Sequence, residues 1–113
     1  MSSVEIKSID LHRVRESVDR YARAILADRS EVEEIVVFGS FANATFVPGS
    51  DLDIFLLLSH SERSVWDRIP DYLPGAFPVG VDLFPYTRDE IERLRPSSLL
   101  DAVAASSWRY ARP

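Results

Sequence analysis

Residues 36–58 read VVFGSFANATFVPGSDLDIFLLL. Two apolar runs of strand length flank a polar stretch that opens on Gly39-Ser40 and, ten residues later, reaches Asp51-Leu52-Asp53. In a strand, residues two apart point to the same face, so Asp51 and Asp53 project together at the mouth of the second run. Ionised carboxylates beside so much apolar surface are costly unless something positive neutralises them. That cost favours a site over a packing role. The glycine nearby adds backbone that a ligand can approach closely, and exposed N–H groups after such a turn attract phosphate.

A third carboxylate extends the pattern. Asp82 stands in Val79-Gly80-Val81-Asp82-Leu83-Phe84, an apolar run that reads as a buried strand with an aspartate in its middle. Like charges held close together either share a proton or hold a cation. Hard oxygen donors of this kind suit magnesium or manganese, which keep waters and share substrate phosphates. Two such ions clamped by Asp51, Asp53 and Asp82 can stabilise the attacking and leaving oxygens of an in-line phosphoryl or nucleotidyl displacement. Taken singly, Asp51 could cap the Pro48-Gly49-Ser50 turn and Asp82 could bond to the loop before it. Taken together, the three point to metal-dependent phosphoryl chemistry.

Working outward, Leu11, Val14, Val18, Tyr21, Ala22, Ile25 and Leu26 recur at helical spacing, with Ser8 or Asp10 available as the cap and an end near Asp28. Residues 34–38 read as a buried strand ending at Gly39, and 40–44, rich in small residues, can begin a short helix. Val47-Pro48-Gly49 breaks the chain with a turn, and 51–58 form the second strand, apolar at both parities and so covered on both faces. Residues 61–69 read as a helix packed through Val65, Trp66 and Ile69 and ended by Pro70; 79–84 give the third strand. Thr87-Arg88-Asp89-Glu90 matches a capping box ahead of a short helix through Ile91 and Leu94. A last helix carries Leu99, Leu100, Val103 and Ala104, after which Trp108-Arg109-Tyr110 either adds an edge strand or lies against the core. The order is that of one α/β domain over residues 1–113, with helices layered on a small sheet.

Composition narrows the function. The chain has 113 residues, 46% hydrophobic and 27% charged, with 18 acidic against 13 basic residues and a net charge of -5. No basic stripe is present to displace counterions, so a long nucleic acid is not the expected partner. Without cysteine, thiol catalysis and cysteine-rich zinc sites drop out. His12 and His60 alone give a histidine triad little support. No signal-peptide core or membrane-length apolar run is evident, so the expected location is the cytoplasm. Glu31, Glu33 and Glu34 read as a solvated acidic loop, and Trp66, Trp108 and Tyr110 as core or rim residues.

Gly39-Ser40, ten intervening residues and Asp51-Leu52-Asp53, followed by Asp82 in VDLFPY, closely resemble the signature of the minimal nucleotidyltransferase domains of the DNA polymerase β-like superfamily, including the antitoxins of the HEPN/MNT type. The resemblance spans essentially the whole chain. It implies a palm-like fold, a small mixed β-sheet flanked by helices. It implies that Asp51 and Asp53 ligate two Mg2+ ions (Mn2+ being the alternative), and that Asp82 binds the catalytic ion and helps deprotonate the attacking hydroxyl. Gly39, Ser40 and Ser50 would bind the nucleotide, with Gly39 and Ser40 on the β- and γ-phosphates of ATP. One departure stands out: Phe41-Ala42-Asn43-Ala44 occupies the place where the family often has Arg-Ala-Arg-Gly, so two phosphate-binding arginines and a glycine are missing.

By the same resemblance, the expected function is transfer of AMP from ATP to a hydroxyl of a HEPN-domain partner, an RNase toxin that this chain would neutralise as antitoxin. The alternatives are a non-catalytic antitoxin that acts by contact, which the substitutions at Phe41, Asn43 and Ala44 favour, and a nucleotidyltransferase for small molecules of the aminoglycoside type. A homodimer or hetero-oligomer is the expected assembly, since small domains often hide apolar surface that way.

Overall fold

The computed structural model describes residues 10–112. Its elements run α1 (Leu11–Asp28), β1 (Val32–Phe38), β2 (Leu52–Leu58), α2 (Val65–Tyr72), β3 (Val81–Thr87), α3 (Arg88–Leu94), α4 (Ser98–Ala105) and β4 (Trp108–Ala111). The four strands form one mixed sheet in the order β3-β2-β1-β4. β1 is antiparallel to both β2 and β4, whereas β2 and β3 are parallel and joined through α2. Of the two readings of 108–110, the edge strand is the one realised.

Strand alternation sends side chains into two separate cores. Leu52, Ile54, Leu56 and Leu58 point to the face covered by α1, where Val14, Val18, Tyr21 and Ala22 are buried against them. Each such aliphatic side chain contributes about 1.5–3 kcal/mol on full burial. Asp10 starts α1, its carboxylate accepting from the N–H groups of His12 and Arg13 at 3.1 and 3.3 Å. Ser8, the other candidate cap, lies outside the described residues. On the opposite face Phe55 packs with Val36, Phe38 and the α4 residues Leu100 and Val103. β2 is therefore covered on both faces, as expected.

Several elements differ from the sequence expectation. Residues 40–44 form a single hydrogen-bonded turn, closed by Asn43 N–H to Gly39 O (3.0 Å) and Thr45 N–H to Ser40 O (2.9 Å), instead of a helix. α2 starts only at Val65, after its cap Ser64, and runs through Pro70 to Tyr72. Arg68 and Tyr72, four apart, set its inner face, which turns Trp66 outward to 81% exposure. The backbone bond lost at Pro70 falls on this outer side, and Tyr72 anchors the last turn: its carbonyl accepts from the Tyr21 hydroxyl at 2.7 Å.

The third strand begins later and runs further than 79–84. Pairing with β2 sets its register, from Leu52 opposite Val81 to Leu58 opposite Thr87. It is an edge strand, so Asp82 is exposed and second in the strand instead of buried at its middle. Pro85, which has no N–H to give a ladder, fits that edge position. Glu33 and Glu34 are also not in a solvated loop. They lie in β1 and pair with Arg88 (2.6 Å) and Arg109 (3.0 Å), while Glu31 accepts from the Tyr72 hydroxyl at 2.6 Å. The capping box at Thr87 is present as read, with both reciprocal bonds. Among the described residues, no helix is long and apolar enough to cross a membrane.

Candidate active site

The end of β1 and the starts of β2 and β3 lie side by side at one end of the sheet. Phe38 is opposite Asp53 across the β1–β2 ladder, and Asp53 is opposite Asp82 across the β2–β3 ladder. Paired residues share a face, and neighbouring strands lie about 5 Å apart, so Asp53 and Asp82 project together. Asp51, two residues before Asp53, completes the group. Below them on the same face lies an aromatic layer: Phe38 meets Phe84 edge to face at 5.3 Å, and Phe55 stacks on Tyr86 at 6.1 Å.

That surrounding governs the charge. Asp53 is half-buried, and burial pushes its carboxyl above the ordinary carboxylate value, with the charges of Asp82 and Asp51 adding to the rise. Asp51 and Asp82 are exposed. Among the described residues, none of the three carboxylates receives a hydrogen bond or an ion pair, although the turns next to them are closed by hydrogen bonds. The turn before Asp51 is closed by Ser50, whose N–H donates to Val47 O and whose Oγ accepts from Val47 N–H, both at 2.9 Å. Asp51 is therefore not its cap, and the Ser50 hydroxyl has its hydrogen left to donate.

Gly39 has a φ of 78°, a left-handed conformation that glycine adopts freely. A Cβ there would also fall within 3.0 Å of Asp53 Oδ2. The glycine thus serves the carboxylate directly, beyond any role toward a phosphate. Ser40 follows it, half-buried, at the start of the single turn. Phe41 is buried and stacks on Phe46 at 4.8 Å in the α1-side core, so it fills the scaffold and leaves the carboxylate face clear. Ala44 holds a φ of 58° where the resembling family often has glycine. Neither Arg63 nor Arg68 replaces the missing arginines: Arg63 pairs with Asp71, and Arg68 pairs with Glu90, toward the opposite end of β3.

Among the described residues no group of three or more acidic or histidine side chains is arranged to hold a metal ion unaided. The donor chemistry nonetheless fits a hard divalent cation, because three carboxylates stand together without a positive partner among the described residues. Magnesium bound to one or two carboxylates completes its shell with waters and phosphate oxygens, so a closed protein cage is not required. A cleft of about 300 Å3 lined by Pro48, Ser50, Asp51, Pro78, Val79 and Gly80 adjoins this group. A larger hollow of about 360 Å3, between α1 and residues 73–77, contains none of the predicted site residues.

A family model described as a nucleotidyltransferase domain matches residues 19–105. The chain belongs to that family. The matched span of this nucleotidyltransferase domain includes Gly39, Ser40, Ser50, Asp51, Asp53 and Asp82, and stops short of β4. A crystal structure of a candidate nucleotidyltransferase from Sulfolobus solfataricus is similar at a TM-score of 0.59 and 20% identity, covering 80% of this chain and 86% of that one. That likeness shows the fold. No curated protein matches the chain. Sequence reading missed the aromatic layer beneath the carboxylates in this nucleotidyltransferase domain; the apolar residues at the parity of Asp53 and Asp82 carried its signal.

Proposed function

We propose that the chain is a Mg2+-dependent nucleotidyltransferase that moves AMP from ATP to a hydroxyl of a protein partner, and that it acts as the antitoxin of a HEPN-type RNase toxin. The observation that carries this reading is the group Asp51, Asp53 and Asp82, three carboxylates on one face with no cationic side chain paired to them among the described residues. A divalent cation bound there neutralises the carboxylates and withdraws charge from a phosphate. Asp51, Asp53 and Asp82 would supply the oxygen ligands of two such ions, and Asp82 would also help take the proton from the acceptor hydroxyl. The hydroxyl oxygen bonds to the α-phosphorus, the bond to the bridging oxygen breaks, and pyrophosphate leaves. Gly39 and Ser40 offer their backbone to the outgoing phosphates. Asp51 and Asp82 stand exposed at the end of the sheet, which suits an acceptor presented by a protein surface. The net charge of -5 agrees with an enzyme that grips no long nucleic acid.

A second reading is a non-catalytic antitoxin that works by contact. The loop from Gly39 to Ser50 contains no lysine or arginine, which favours weak triphosphate binding. One experiment separates the two. The chain is incubated with α-labelled ATP, Mg2+ and its co-purified or neighbouring-gene partner, alongside an Asp51→Asn/Asp53→Asn variant. Label on the partner that vanishes in the variant is the expected outcome. Neutralisation that survives in the variant without label would establish the contact reading.

A further inference from the structure

Gly80 belongs to neither the Gly-Ser nor the Asp-x-Asp pair. Its backbone has no left-handed φ, so conformation does not explain a glycine here; space does. A Cβ built on Gly80 falls within 3.0 Å of Asp51 Oδ1 and 3.2 Å from its Cγ. The closeness of the two backbones is fixed from below, because the N–H of Leu52, next to Asp51, donates to Gly80 O at 2.8 Å. The β2–β3 register puts Leu52 opposite Val81 and Asp53 opposite Asp82. Carried one step back, it sets Asp51 beside Gly80, two residues before Asp82 and on the same face. The missing side chain leaves a slot next to Asp82, and the Asp51 carboxylate lies in it. Gly39, just past the end of β1, does the same for Asp53 from the other side.

We propose that Gly80 is a positioning residue: its bare Cα holds the Asp51 carboxylate on the face of Asp53 and Asp82, and any Cβ there moves it out of the group. This rests on the reading of the three carboxylates as a cation site. Gly75 supplies a control, since a Cβ built on it meets nothing within 4 Å.

The test combines Mn2+ titration, followed by loss of the free-ion paramagnetic resonance signal, with a thermal melting cycle. Gly80→Ala is expected to raise the Mn2+ dissociation constant roughly ten-fold, as for other changes that misorient a metal ligand, and Gly75→Ala to leave it unchanged. Gly80→Ala should shift the melting midpoint less favourably with the Asp51 carboxylate present than after Asp51→Ala has removed it, a non-additivity that marks direct coupling. If Gly80→Ala alone does not fold, recovery of the fold in Gly80→Ala/Asp51→Ala supports the assignment. Failure of that double variant to fold overturns it. So does unchanged Mn2+ affinity in folded Gly80→Ala, or an equal change in midpoint with and without the Asp51 carboxylate. An unsubstituted chain that binds no Mn2+ defeats the cation reading of the site, and this proposal with it. Intact Mn2+ binding without coupling defeats the Gly80 assignment alone.

Discussion

The two ends of the sheet both carry charged side chains and treat them in opposite ways. Toward the end where β2 and β3 finish, Arg68 is 3% exposed, forks onto Glu90 at 2.6 and 2.7 Å and donates to Pro85 O at 2.9 Å. Around it Arg63 pairs with Asp71, Glu31 accepts from Tyr72, and Arg29 donates to Asp71 O at 3.0 Å. At the other end Asp51, Asp53 and Asp82 stand together with no such partner among the described residues. Charge that serves the scaffold is answered inside the chain; charge left unanswered is available to a ligand. The carboxylate end also holds its backbone under more constraint, with positive φ at Gly39 and Ala44 in the loop joining β1 to β2.

The contrast is broken most sharply by removing Asp53. Asp53→Asn should cut labelling of the acceptor about 100- to 1,000-fold, as loss of a group that stabilises transition-state charge does, while the fold is kept. Initial rates with α-labelled ATP and a urea melt on the same preparation check both halves. Arg68→Met should do the reverse and cost about 3 kcal/mol of stability, because the Glu90 carboxylate and the Pro85 carbonyl lose their partner. Chemical denaturation measures it.

Acid should then set the two ends against each other. The Arg68 guanidinium holds the Glu90 carboxyl down at about 2, below its ordinary 4.5. Its contribution is complete above pH 4.5 and is lost as pH falls from there toward 2. Asp53 has the opposite sign. Its carboxyl is raised from 3.8 in the folded chain, so its ionisation destabilises the fold above the raised value, and acid relieves that penalty on the way down. Urea melts across this range should show a flatter acid limb for Glu90→Gln. Asp53→Asn should be more stable than the parent at neutral pH, and the difference should close on acidification. The smallest effect concerns Ala44: Ala44→Gly should stabilise by about 0.5–1 kcal/mol, since a left-handed alanine is strained and glycine is not. The thermal midpoint reads it.

Much of this arrangement was legible beforehand because it is written in local spacing. The α1 stripe, the capping box at Thr87 and the two apolar runs around Gly39 and Asp51 each follow from a short period or a single cap. What escaped depended on contacts distant in sequence. Nothing near Trp66 announces that Arg68 and Tyr72 will claim the inner face of α2, because their partners, Glu90 and Tyr21, lie far along the chain. The start of β3 was misplaced since Val79 is as apolar as Val81, and only pairing with Leu52 decides between them. The carboxylates themselves were found by residue type, but their juxtaposition across the β2–β3 ladder needed the register. Phe41 looked like an intrusion at the site and proved to be packed with Phe46, because a turn residue can face either side.

The Arg68–Glu90 pair has a consequence beyond stability. β3 is an outer strand, and an outer strand is a template on which a stray chain can assemble. Here Pro85 offers no N–H, its carbonyl is occupied by Arg68, and the Thr87 N–H is taken by Glu90 at 2.8 Å. The ion pair is thus a seal against polymerisation. A chain that loses Arg68 leaves the Pro85 carbonyl open on that margin, so its solubility in a crowded cell, and not its stability alone, should fall.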